Sequence, residues 1–148
     1  SNSVRGLFGR LTVTTNSIGY ITIQTTGNTT DFGDLSATRA NQGATSDSTR
    51  GVFAGGDNSS AQLDIIDYVT VASTGNATDF GNLTTVRAEM MDNGNTDNTT
   101  GLFGGGNVTG THSDIIDYIT IQTTGNATDF GNLSGAGGRT QSAGNSGS

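Results

Sequence analysis

One phrase of about twenty residues is spelled three times along this chain. Residues 114–133 read DIIDYITIQTTGNATDFGNL, residues 64–83 read DIIDYVTVASTGNATDFGNL, and residues 18–35 read IGYITIQTTGNTTDFGDL. Aligned on Tyr20, Tyr68 and Tyr118, the copies lie 48 and then 50 residues apart. A second marker keeps the same phase: RGLFG at 5–9, RGVFAGG at 50–56 and TGLFGGG at 100–106. Such a period restricts the fold severely, because each unit can cover its apolar surface only with a neighbouring unit. The expected organisation is one domain, 1–148, divided into units 1–47, 48–97 and 98–148. The first copy is three residues shorter between its Gly-Phe marker and its Tyr, so its loop is trimmed.

Within a unit the local chemistry predicts four short strands. RGVFAGG (50–56) alternates and then stops at a glycine pair, as a strand running into a tight turn would. IIDYVTVAS (65–73) is rich in β-branched residues. Strand periodicity puts Ile66, Tyr68, Thr70 and Ala72 on one face and Ile65, Asp67, Val69 and Val71 on the other. Both faces carry apolar residues, as expected of a strand inside a stack. STGN (73–76) is expected to turn, with the Asn capping its own backbone. ATDFGNL (77–83) then offers Phe80 and Leu83 to a core. The polar stretch from Arg87 to Thr99 is left for the remaining strand or an irregular edge. AEMMD (88–92) is too short to be a helix before NGN interrupts it.

Composition narrows the function classes. All six basic residues are Arg, against thirteen acids, giving a formal net charge of −7. Phosphate neutralisation needs clustered cations, so this balance argues against a nucleic-acid partner. It argues equally against docking on anionic lipid. No apolar run nears the roughly 18 residues that cross a bilayer, so no membrane insertion is expected. The chain has no Cys, and thus no disulfide frame or thiolate metal site. Without a Met at its start, it is expected to be processed or cut from something longer.

Several features together resemble a kelch-type β-propeller blade. Arg39 or Arg87 stands for the leading Arg, and Gly55-Gly56 or Gly105-Gly106 for the glycine doublet. Tyr68 or Tyr118 stands for the tyrosine. Phe80-x-x-Leu83 and Phe130-x-x-Leu133 occupy the place of the family's Trp and Leu. In the first copy Gly9-Arg10 replaces the doublet. The resemblance implies an all-β fold with kelch-like propeller blades. Three blades are fewer than the four to eight that close a propeller, so a larger propeller or an assembly of copies is implied. Ser146-Gly147-Ser148 falls at the same repeat phase as Ser1-Asn2-Ser3, so one chain's end would lead into the next chain's start. The phrase IDYITIxTTGNATDFGxL also resembles tandem-repeat proteins of marine bacteriophages, associated with virions or tails.

Candidate chemistry is sparse. Asp67 with Asp79, and Asp117 with Asp129, recur once per unit in the second and third units, and Asp31 of the first joins the set. Paired acids suit glycoside hydrolysis or calcium. A catalytic pair is needed once per site, however, and acids repeated in every unit serve the unit, typically by bonding turn N–H groups. His112 stands alone in a loop where the second copy has Gln62, and makes neither a triad nor a zinc site. The glycine pairs lack a following Lys and are turn glycines rather than a phosphate cradle. No catalytic, cofactor-binding or metal residue is therefore assigned.

Two sets of residues remain. The loops after the glycine doublets vary between copies while the strands stay constant, which marks them as recognition surface. Their candidate binding residues are Asp57, Asn58, Ser59, Gln62, Asn107, Thr109, Thr111 and His112. N-x-S/T triplets at Asn28, Asn58, Asn76, Asn82, Asn98, Asn107, Asn126 and Asn132 are candidate glycosylation positions. The expected function is a non-enzymatic structural or adhesive repeat protein of an extracellular particle or virion surface, such as a phage tail, fibre or decoration component. Its expected partners are copies of itself, further repeats of the same polypeptide, or a host-surface glycan. An extracellular fibril subunit and a fragment of a carbohydrate-active propeller enzyme are the alternatives.

Overall fold

Short β-branched runs punctuated by glycine become strands throughout this chain. The computed structural model describes residues 4–9, 15–90 and 95–136, and the regular structure among them is entirely β. The first sheet holds β1 (Arg5–Gly9), β2 (Ser17–Thr22) and β3 (Thr30–Asp34), in that order. The second holds β4 (Gly43–Ser46), β5 (Arg50–Ala54), β6 (Ile65–Thr70) and β7 (Thr78–Asn82), also in chain order. The third begins with β8 (Asn95–Thr96) and β9 (Thr100–Gly104). A small hairpin of β10 (Asn107–Val108) and β11 (Thr111–His112) intervenes, and β12 (Ile115–Thr120) and β13 (Thr128–Asn132) complete the sheet. All strand pairs are antiparallel, and no sheet closes on itself.

The last strand expected of a unit joins the following sheet. β4, from the segment 1–47, pairs with β5, and β8 pairs with β9. The polar stretch 87–99 thus supplies β8, while its residues 91–94, including Met91 and Asp92 of AEMMD, lie outside the described residues. Arg10 and both chain ends, with Ser1-Asn2-Ser3 and Ser146-Gly147-Ser148, also lie outside them.

Each sheet carries the same irregularity. Ile66 pairs with Gly81 but Asp67 pairs with Asp79, so Phe80 is the extra residue of a β-bulge. The register skips Phe32 and Phe130 in the same way. A bulge re-aims the side chain it carries, and here it stands each Phe edge-to-face with the unit's Tyr. The ring centroids are 5.8 Å apart for Tyr20–Phe32 and 6.0 Å for Tyr68–Phe80 and Tyr118–Phe130.

Alternation along the strands sorts the core into two layers. Phe53 and Val69 of the second sheet meet Ile18, Phe32 and Leu35 of the first, with Leu7, Tyr20 and Ala77 packed around them. On the opposite face, Val52, Ile66, Phe80 and Leu83 meet Phe103, Ile119, Ile121 and Ala127 of the third sheet. The two faces expected of strand 65–73 are therefore both buried, one against each neighbouring sheet.

The expected STGN turn is placed differently. The chain reverses earlier, where the Ser73 N–H donates to the Thr70 carbonyl at 3.1 Å. Gly75-Asn76-Ala77 then runs along the edge of the preceding sheet. Its N–H groups donate from Gly75 to Phe32 O at 2.8 Å and from Ala77 to Asp34 O at 2.7 Å. Gly125 and Ala127 repeat this against Phe80 and Asn82, both at 2.8 Å. An edge strand with unpaired backbone groups costs free energy, and this segment satisfies those of β3 and β7.

Candidate functional site

The repeated charges converge on the two joints between sheets. After β3 the chain carries Ser36 and Arg39 beneath the second sheet. There the Arg39 guanidinium donates to Asp67 Oδ2 at 2.9 Å, with both side chains fully buried. Ser36 adds its N–H and hydroxyl to the same oxygen, at 3.0 and 2.8 Å. The next joint copies this with Thr84, Arg87 and Asp117, the ion pair again 2.9 Å long. Burial pulls both arginine pKa values below the ordinary range. The charge and hydrogen bond of Asp67 oppose this at Arg39, and the charge of Asp117 opposes it at Arg87.

Three of the repeated acids do accept from backbone N–H groups, Asp67 from Ser36, Asp117 from Thr84 and Asp129 from Gly131, but two of them have a larger task. Asp67 and Asp117 neutralise a buried arginine delivered by the preceding unit. Their cross-strand neighbours Asp79 and Asp129 are exposed, as is Asp31. In each couple one carboxylate is thus sealed under a guanidinium while the other faces water, which does not suit an acid–base pair sharing one substrate.

A second set of arginines was not singled out by sequence. The Arg5 guanidinium lies 4.7 Å over the Tyr20 ring and donates to Val71 O of the next sheet at 2.9 Å. Arg50 does the same with Tyr68, at 4.3 Å, and with Ile121 O, at 2.9 Å. Asn76 and Asn126 also act across the joints: their side-chain oxygens accept from the N–H groups of Asp34 and Asn82, both at 3.1 Å. The expected self-capping of this Asn is replaced by a bond to the neighbouring sheet. One signal for the arginines was available, since they open the marker in the first two copies and become Thr100 in the third.

The structure brings part of the variable loops together. Gln62 donates from its amide to Asn107 Oδ1 at 3.2 Å, and its own oxygen accepts from the Thr109 N–H at 2.8 Å. Asp57 accepts from the Asn41 amide at 2.7 Å, while Asn58 Oδ1 closes its own loop by accepting from Ser60 and Ala61 N–H, both at 2.8 Å. Ser59, Thr109, Thr111 and His112 are exposed, and His112 falls on the short strand β11 rather than in a loop. Among the glycosylation candidates, Asn28, Asn76, Asn98, Asn126 and Asn132 are exposed, and Asn58, Asn82 and Asn107 are half-buried.

A cleft of about 650 Å³ opens between the first two sheets, lined by Val4, Arg5 and Leu7 on one side and Thr45, Asp47 and Phe53 on the other. Among the described residues no group of three or more His, Cys, Asp or Glu is placed to hold a metal ion. No family model matches this chain, and no curated protein matches it significantly.

Proposed function

We propose that this chain is a non-enzymatic structural or adhesive repeat protein of an extracellular particle, with its sheets acting as kelch-like propeller blades. A tail, fibre or decoration component of a phage virion is the setting that fits its wording. The observation that carries the reading is where the conserved chemistry of the repeat is spent. Arg5, Arg39, Arg50 and Arg87, with Asp67 and Asp117, hold one sheet to the next. What varies between units faces outward, at Ser59 and on the short strand β11 with Thr111 and His112. A scaffold held by repeated contacts and presenting unrepeated loops is how repeat proteins display recognition surface. The contact across Gln62, Asn107 and Thr109 supports a joined loop surface able to hydrogen-bond a sugar or a neighbouring subunit.

A glycan array probed with the assembled protein tests the adhesive part. Binding is expected to fall when Ser59, Thr111 and His112 are changed together to Ala, with the fold unchanged by circular dichroism. No binding above background would leave a purely structural fibril subunit, a reading favoured by the two uncovered outer sheet faces.

A further inference from the structure

The two inner joints define which side chains a sheet buries on each of its faces. On the trailing face, Phe32 and Phe80 are 2% and 3% exposed, whereas Phe130 of the third sheet is 60% exposed. On the leading face, Phe53 and Phe103 are 3% and 0% exposed, whereas Phe8 of the first sheet is 51% exposed. Ile23 is likewise exposed on the first sheet, while its counterpart Ile121 is buried. The chain thus leaves uncovered one copy of each half of a joint that it assembles twice internally. Large exposed apolar residues grouped this way mark an interaction surface.

We propose that the chain associates head to tail with a second copy of itself, seating Tyr118, Phe130 and Leu133 of one copy on Phe8, Ile21 and Ile23 of the next. The inference rests on reading the sheets as stacking units and adds the occupant of their free faces. The backbone is already shaped for it. A Cβ on Gly33 or Gly81 would lie 2.2 or 2.3 Å from the carbonyl oxygen of Gly75 or Gly125, so the incoming turn needs glycine there. Gly131 has the same positive φ, near 141°, yet nothing lies within 4 Å of where its Cβ would be. The turn that would fill this space exists on the first sheet as Gly27-Asn28, the counterpart of Gly75-Asn76.

The charged parts of the joint are missing from both halves. Thr100 stands where Arg5 and Arg50 reach across. Gly19 stands where Asp67 and Asp117 receive the buried arginine. In sequence, Gly137 occupies the place of Arg39 and Arg87, the next arginine coming two residues later at Arg139. A carboxylate without its arginine would be a costly buried charge, and Gly19 presents none at that position. The joint between copies therefore keeps the apolar and backbone contacts of the inner joints without their ionic clamps, which makes it the separable one. It is heterologous, joining two different faces.

Sedimentation velocity across a concentration series tests this. The unmodified chain is expected to form species larger than 15.0 kDa. Phe8→Asp and Phe130→Asp should each stay monomeric, and both positions are exposed enough for the fold to survive. An equimolar mixture of the two variants should form a two-chain complex and nothing larger, because each keeps one intact face. Thr100→Arg, which would restore the stack over Tyr118, should tighten association about three- to tenfold. A chain monomeric at millimolar concentration overturns the proposal. So does a mixture that does not pair, or association abolished by only one of the two aspartate variants. None of these results depends on glycan binding, so the adhesive reading stands or falls separately.

Discussion

Arg87 donates to three acceptors, the carbonyls of Ile115 and Phe103 and the carboxylate of Asp117. Arg39, its counterpart one joint earlier, donates to Asp67 and, at 3.3 Å, to Phe53 O. Asp117 uses both oxygens toward Thr84 and Arg87, while Asp67 uses only Oδ2 toward Ser36 and Arg39. The later joint also has polar links that the earlier one lacks among the described residues: Thr45 to Asn95 O, Gln122 to Asp47, and Gln62 to Asn107. Each of these needs a part that the first sheet is not described as having, either the fourth strand or the full-length loop. The cleft beside Val4 and Leu7 lies at that joint. Two joints built around the same Tyr, Phe and Leu thus differ in closure because of what flanks the strands.

The largest expected difference between them is in the latches. Arg87→Met should lower stability by about 3–5 kcal/mol, because it leaves Asp117 buried and unpaired. Arg39→Met should cost less, since fewer hydrogen bonds are lost with it. Urea unfolding midpoints compare the two, and an equal or larger loss at Arg39 would contradict the ranking. Adding Asp117→Leu to Arg87→Met should recover most of the loss, as the orphaned charge is then gone.

A smaller effect separates inner joints from the uncovered face. Gly81→Ala drives a methyl into the Gly125 carbonyl, and Gly131→Ala meets open space at a similar φ. Both replacements strain the backbone, so their difference isolates the clash and should be about 1–3 kcal/mol. Thermal denaturation of dilute protein gives this difference, and equal losses would mean that the turn does not press on β7.

The smallest effect is pH-dependent. Burial alone would raise the Asp47 pKa, but the Arg50 N–H, the Gln122 amide, the Thr49 N–H and the Arg50 charge outweigh it and hold the carboxyl below its ordinary value. A carboxylate with a lowered folded pKa contributes its stability above the unfolded value, near 3.9, and loses it as pH falls through the lower folded value. Asp47 is mostly solvated, so Asp47→Asn should cost no more than about 1 kcal/mol at pH 6. That cost should fade in acid. A melting-temperature gap unchanged at pH 2 would show that the carboxylate's charge is not what matters there.

Much of the fold could be read from residue types at fixed spacing. Alternation in IIDYVT marked a strand buried on two faces, and Ile66 and Val69 do enter different core layers. Phe80 and Leu83 were expected in the core and are there. The glycine in DFG gave no comparable hint of a bulge, because a bulge shows only once two strands have chosen their register. The acids were noticed for their recurrence, but their partners stand 28 and 30 residues earlier in the chain. No local pattern names a partner at that distance.

By itself, then, the sequence determined the unit: its period, its β character, and the alternation that makes both faces of each sheet apolar. Those properties follow from backbone geometry and side-chain type within a few residues. Tertiary structure alone decided which sheet receives β4 and β8, which carboxylate is buried, and which phenylalanine stays in water. The same Phe is covered in the second sheet and bare in the third, and the Leu three residues on goes from buried to half-buried. Burial is a property of the neighbour, and only stacking supplies one.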